Sequence, residues 1–164
     1  MARSSTTTSV WRSHGGDNSR TAYAGSMLMV ADFYFSATGA ANTKVQKSST
    51  DTNNVILPVG AIITEIQANA AGTGGTNPTF DMGFTLYTTG TTNAATLLNE
   101  ADADAGKQVF TWATATVPGA SFGEVMSASE LVYITGSVGA SAATGGSISG
   151  RITYYVPTDG AVAV

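Results

Sequence analysis

The sequence predicts an all-β protein, an antiparallel jelly-roll sandwich of about eight strands with an extended N-terminal arm. Three observations predict it. Apolar residues recur at every second position through most of the chain, the spacing of a strand with one buried face. Clusters of Gly, Pro, Asn and Asp separate these runs at turn positions. The first 22 residues are polar and carry no period at all.

The first strand sets Met27, Met29, Ala31, Phe33 and Phe35 on one face and Leu28, Val30, Asp32 and Tyr34 on the other. The second face is also largely apolar, so this strand is expected to be covered on both sides. Thr43 to Ser48 is a weaker strand, with Lys44 and Gln46 opposite Val45 and Lys47. Leu57-Pro58-Val59-Gly60 then turns. Pro58 pre-sets the backbone angle for the second position of a type I turn, and Gly60 suits the fourth. From Ala61 to Asn69, Ile62, Thr64, Ile66 and Ala68 alternate with Ile63, Glu65, Gln67 and Asn69. Beyond the Gly72 to Pro78 loop, Phe80, Met82, Phe84 and Leu86 point inward, with Asp81, Gly83, Thr85 and Tyr87 outward.

Ala94 to Ala105 is the one helix expected, with Leu97, Leu98 and Ala101 as its apolar stripe. Lys107 to Thr114 returns to strand, with Val109, Thr111 and Ala113 set against Phe110 and Trp112. Val117-Pro118-Gly119 turns, Leu131 to Val138 is a strand, and Gly136 to Gly146 reads as an exposed loop of small residues. The last strand, Ser147 to Val156, places Ile148, Gly150, Ile152, Tyr154 and Val156 on one face and stops at Pro157. Strands of unequal length joined by long, uneven loops favour a jelly roll over a regular sandwich. Periodicity leaves the strand order open. The organisation is an arm over residues 1–22, a sandwich domain over 23–157 and a small-residue tail over 158–164.

Composition narrows the function classes. At 164 residues the chain fits one domain and can bury a real core. Charged residues make up 11%, against about 25% in an ordinary globular protein. Thr and Gly help to fill the difference, with 25 and 19 residues. Thr is β-branched and stiff yet hydrogen-bonds to water, so it suits an exposed strand face. A surface so poor in charge has little to hold neighbours apart, which favours lateral packing.

The net charge of -4 is unevenly spread. Arg3, Arg12, Arg20, Lys44 and Lys47 fall in the first 47 positions against Asp17 and Asp32, and the rest carries Lys107 and Arg151 against nine acids. A phosphate-tracking face needs clustered Lys and Arg, so no nucleic-acid partner is expected. A mildly basic arm meeting an acidic neighbour fits this distribution. With no cysteine there is neither a disulfide framework nor a thiolate metal site, in keeping with cytoplasmic synthesis and assembly. The N-terminus lacks the apolar core of a signal peptide, and no run reaches the roughly 18 apolar residues of a membrane helix. A soluble chain without a membrane partner is expected.

No set of residues is equipped for catalysis, and no cofactor is expected. His14, the single histidine, sits in the polar arm without the partners that general-base or zinc chemistry requires. Glu100, Asp102 and Asp104 alternate as in a calcium loop, but the glycine comes one residue late and Thr111 occupies the closing carboxylate position. That segment reads as exposed polar chain. Gly72-Thr73-Gly74-Gly75-Thr76 lacks the Lys-Ser/Thr sequel of a phosphate loop and reads as a strand connection. Tyr23, Tyr34, Tyr87, Tyr133, Tyr154 and Tyr155, with Trp112, could build an aromatic platform for sugars, although aromatics in strands more often pack in cores or interfaces. Trp11 stands alone as a large aromatic in a polar arm, either an anchor for a partner or a cap on the chain's own core.

The segment Val55 to Phe84 carries a resemblance. Leu57-Pro58-Val59-Gly60-Ala61-Ile62-Ile63-Thr64 and Gly74-Gly75-Thr76-Asn77-Pro78-Thr79-Phe80-Asp81-Met82-Gly83 resemble a pattern in tailed-phage virion proteins. These are the small head-decoration (cement) and head-fibre-base proteins, in which an L-P-x-G/N-A-I-[IV]-T turn and strand precede a Gly-Thr-rich loop and an x-[FL]-D-[VM]-G strand. The resemblance covers about a fifth of the chain. It implies a jelly-roll domain, often a homotrimer, bound at symmetry positions on the outer capsid, with an arm reaching onto the shell or a neighbouring subunit. Its partners would be the major capsid protein, copies of itself and a head fibre protein. On composition, Arg3, Trp11, Arg12 and Arg20 are the arm residues expected to contact the capsid.

The function expected is therefore non-enzymatic: a structural virion protein that decorates the outer capsid and bridges neighbouring capsomers. Two alternatives remain, a fibre or adhesin module binding host surface glycans and a minor self-assembling shell protein.

Overall fold

Alternating apolar residues build two facing antiparallel sheets whose strand order is that of a jelly roll. A computed structural model describes residues 28–37, 43–104, 106–111, 118–138 and 144–157. The arm expected over 1–22, with Arg3, Trp11, Arg12, His14 and Arg20, and the tail over 158–164 lie outside the described residues. Eleven strands occur among those described: β1 Met29–Ser36, β2 Thr43–Lys44, β3 Gln46–Ser48, β4 Asp51–Asn54, β5 Ile56–Leu57, β6 Ile62–Ala71, β7 Thr79–Leu86, β8 Thr92–Asp102, β9 Lys107–Thr111, β10 Val132–Val138 and β11 Ser147–Tyr155. One sheet runs β4-β3-β1-β11-β6-β9. The other runs β2-β10-β7-β8, with β5 also paired to β10.

With β2 and β5 counted as one position, β6 to β11 follow as the third to the eighth. The first sheet then holds the first, eighth, third and sixth positions, and the second holds the second, seventh, fourth and fifth. Two Greek keys rolled together produce that order. The expected eight strands are eight positions, and β3 and β4 extend the edge of the first sheet.

The core lies between the sheets. Phe33, Phe35, Ile148, Ile152, Ile66 and Phe110 come from the first sheet, and Phe80, Met82, Phe84, Leu97, Leu98 and Ile134 from the second. Phe80 is tilted against Phe35 at 6.3 Å and meets Phe110 edge-on at 6.5 Å, so aromatic contacts join the two layers. β1, β7 and β11 bury the faces that alternation assigns to them.

Six local expectations are corrected. Ala94 to Ala105 is not a helix, because Thr92–Asp102 is β8. Its pairing with β7 slips twice, as Phe80, Met82 and Phe84 face Ala101, Leu98 and Asn93. The extra residues bulge out, with Ala95 and Glu100 at φ 55° and 53°. Leu97, Leu98 and Ala101 all reach the core as a result, a spacing that imitates a helix.

A second bulge lies in β6. Thr153 and Tyr154 of β11 face Glu65 and Ile63, which leaves Thr64 as the extra residue. Its hydroxyl donates to the Thr153 carbonyl at 3.2 Å. The phase changes there, so Ile63 is buried with Ile66 and Ala68, and Ile62 is only half-buried.

The turn after β5 sits one residue later than expected. Ala61 N–H donates to the Pro58 carbonyl, and Gly60 takes the third position at φ 79°. Positive φ there is the mark of a type II turn.

The strand expected over Thr43 to Ser48 divides at Val45. Lys44 pairs with Thr135 of the second sheet and Gln46 with Tyr34 of the first. Val45 and Val55 bond to either side of Ile134 across the gap and are buried. The second face of β1 is not covered, with Leu28 and Val30 exposed by 64% and 56%. Finally, Gly136 and Ser137 are buried in β10 and do not belong to an exposed loop. A methyl on Gly136 would lie 2.7 Å from the Phe35 ring.

Candidate interaction surface

The outer face of the second sheet gathers side chains that alternation turns away from the core. On β10 alternation turns Leu131, Tyr133, Thr135 and Ser137 away from Val132 and Ile134; Leu131 and Tyr133 keep exposure, whereas Thr135 and Ser137 are buried. β7 ends beside them, where Tyr87 N–H donates to the Leu131 carbonyl. Ile56 of β5 pairs with Tyr133 from the other side.

Tyr87 and Tyr133 therefore meet across the two strands. Their rings stack with centroids 4.9 Å apart and planes 18° from parallel. Lys44 Nζ stands 3.7 Å from the Tyr133 centroid. Tyr87 occupies one face of that ring, so the ammonium lies over the other, a cation–π contact. Burial pushes the Tyr133 phenol above its ordinary pKa, helped by its hydrogen bond with Tyr87 and by the charge Tyr87 can carry. The Tyr133 phenol therefore stays neutral at physiological pH.

Glu130 fixes the other end of the cluster. Its carboxylate accepts from the backbone N–H groups of Thr88 and Thr89 and from the Thr89 hydroxyl. Gly90 at φ 72° closes the hairpin with its N–H on the Leu86 carbonyl. Glu130 thus holds the turn that carries Tyr87.

The Thr88 N–H is the main reason that the Glu130 carboxyl lies below its ordinary value of 4.5, with the Thr89 donors adding to it and burial opposing it. A pKa depressed by folding stabilises the folded state above the ordinary value, and the contribution is lost as pH falls through the lowered one. As pH falls through that lowered value, the amides of Thr88 and Thr89 are expected to lose protection against solvent exchange, measured relative to their intrinsic rates. Glu130→Gln should abolish that acid-dependent step. An identical acid response in wild type and variant, followed by amide NMR, would refute the clamp.

Around this cluster, Ile56, Leu131 and Tyr87 remain 41%, 38% and 49% exposed, and Val59 in the neighbouring turn 37%. Four large apolar residues exposed in one region, with Lys44 at one rim and Glu130 at the other, have the composition of an interaction surface.

Among the described residues of the aromatic set, only Tyr87 and Tyr133 stack on each other. Tyr34 lies on the first sheet opposite Gln46 and Ser149, and Tyr154 packs against the core. Tyr23 and Trp112 lie outside the described residues. Both faces of Tyr133 are filled, so a sugar ring would find one aromatic face of this pair, that of Tyr87.

In the acidic segment, Asp102 accepts from the Asp104 N–H through its carboxylate and from Gln108 through its carbonyl. The Gly72 to Thr76 loop is pinned in place, as buried Thr73 donates its hydroxyl to the Ala103 carbonyl at 2.8 Å and accepts the Thr144 N–H. Positive φ at Gly72, Gly74 and Gly75 is what its glycines supply.

Sequence reasoning missed the Tyr87–Tyr133 pair and Glu130. Outward alternation at both tyrosines was a signal for the pair, but only the adjacency of β7 and β10 joins them.

No protein-family model matches the chain, and no curated protein does. Among solved structures it is similar to "Cyanophage Pam1 capsid asymmetric unit", with 20% identity over 81% of this chain and 87% of that one and a TM-score of 0.44. A likeness at that level carries no argument about function.

Proposed function

We propose that this protein is a structural component of a tailed-phage virion that decorates the outer capsid and ties neighbouring capsomers together. The observation that carries the reading is where the motif residues fall. Leu57 to Thr64 form the turn into β6, and Gly74 to Gly83 form the loop into β7, so the resemblance spans the passage from one sheet to the other in a jelly roll. A low-charge surface rich in Thr and Ser, with apolar residues exposed on both sheets, supports lateral packing over chemistry. Many weak contacts repeated over a lattice add up by multivalency, so no single contact needs to be strong.

In this reading residues 1–22 are an arm that reaches the shell through Arg3, Trp11, Arg12 and Arg20, residues 23–157 are the sandwich, and 158–164 are a tail. The partners are the major capsid protein and further copies of this chain. Removing residues 1–22 is expected to leave a folded domain that no longer cosediments with capsids. Undiminished binding by the truncated protein would overturn the role of the arm. Quantitative mass spectrometry of purified particles tests the wider reading. A copy number comparable with that of the major capsid protein is expected, and absence from particles would remove the virion assignment.

A further inference from the structure

The structure points to a two-fold contact between copies of this chain through the Tyr87–Tyr133 face, and we propose that the protein self-associates there in an isologous pair. The groups on this face stand in a fixed order. Lys44 stands over Tyr133, Tyr133 stacks on Tyr87, and Glu130 binds the residues that follow Tyr87. Positive charge, two aromatic rings and negative charge therefore follow one another in that order. Lys44 pairs with Thr135 on β10, and Glu130 precedes that strand, so the two charges flank the rings from opposite ends of β10.

A two-fold axis through the rings reverses this order in the second copy. Lys44 of each copy then faces Glu130 of the other, and the apolar residues Ile56, Leu131 and Tyr87 cover their counterparts. An isologous interface requires a patch to be complementary to itself, and a row with opposite charges at its ends meets that condition. A repeating three-fold contact has no such need, because it joins two different patches. Preorganisation adds to the case. Glu130 fixes the hairpin carrying Tyr87, and the stack fixes both rings, so little side-chain entropy is left to lose on docking.

The inference concerns the isolated protein and goes beyond the virion reading. On a shell, pairs of this kind would join subunits on adjacent capsomers. Failure to bind capsids would leave the pair intact, and a monomeric protein would leave capsid binding intact.

The test is the mass of the full chain by sedimentation equilibrium across a concentration series. A reversible dimer is expected. Tyr87→Ser and Lys44→Glu should each weaken it by about tenfold or more, the scale of one interface hot spot. Lys44→Glu and Glu130→Lys chains should each associate poorly alone and pair when mixed, since the mixed dimer restores both charge contacts. Circular dichroism melts show whether each variant remains folded, and Tyr87→Ser carries the test if Glu130→Lys does not. A monomeric or purely trimeric wild type would overturn the proposal. So would a dimer that neither Tyr87→Ser nor Lys44→Glu weakens.

Discussion

Phe80→Ala is expected to cost about 3–5 kcal/mol of folding stability, the range for truncating a fully buried aromatic. Phe80 is 1% exposed and touches rings on two strands of the opposite sheet, Phe35 on β1 and Phe110 on β9. Its removal opens a cavity between the layers, where neither sheet can move in without breaking the antiparallel pairing on its own side. Urea unfolding should show the midpoint falling at an unchanged slope. Val109→Ala on the outer face of β9, where Val109 is 56% exposed, should change stability by no more than about 0.5 kcal/mol. Equal losses for the two substitutions would place the core elsewhere.

Gly150→Ala is expected to be nearly as damaging although it adds only one methyl. The new carbon would stand 1.8 Å from the Gln67 carbonyl oxygen and 3.1 Å from the Ala68 Cα. Those atoms are the backbone of β6, the neighbour of β11 in the first sheet, and no side-chain rotation can relieve the clash. Overpacking of this kind costs about 3 kcal/mol. Gly90→Ala makes a clean comparison. It has open space around it and a φ of 72°, so its cost of about 1–2 kcal/mol comes from backbone conformation alone. Thermal melts should place wild type above Gly90→Ala and Gly90→Ala above Gly150→Ala. A Gly150→Ala protein as stable as wild type would mean that β11 and β6 are not joined in this register.

Most of the fold was legible where alternation ran without interruption. Phe80, Met82 and Phe84 in β7, and Ile148 and Ile152 in β11, declare their buried faces by spacing alone. The failures occur where a strand gains residues. In β8 the bulges around Ala95 and Glu100 bring Leu97, Leu98 and Ala101 to one face, and that spacing cannot be told from a helical stripe until β7 is seen beside it. In β6 the extra residue Thr64 shifts the phase, which places Ile63 in the core in place of Ile62. A bulge depends on the register of two strands, and register is a property of the pair.

The surface was legible only in part. Outward positions for Tyr87 and Tyr133 follow from the same alternation that buries Phe84 and Ile134. Nothing in their spacing of 46 residues says that they touch, and Lys44 and Glu130 gave no local sign of a role.

By itself the sequence determined the all-β class, the buried faces of its regular strands and a composition poor in charge. These follow from side-chain period and composition, which act over a few residues. Tertiary structure alone decided the jelly-roll order, the crossing of the chain between sheets at Val45, the bulges of β6 and β8 and the row that runs from Lys44 through Tyr133 and Tyr87 to Glu130. Those features depend on which strands become neighbours, and that choice is made by contacts between residues far apart in the chain.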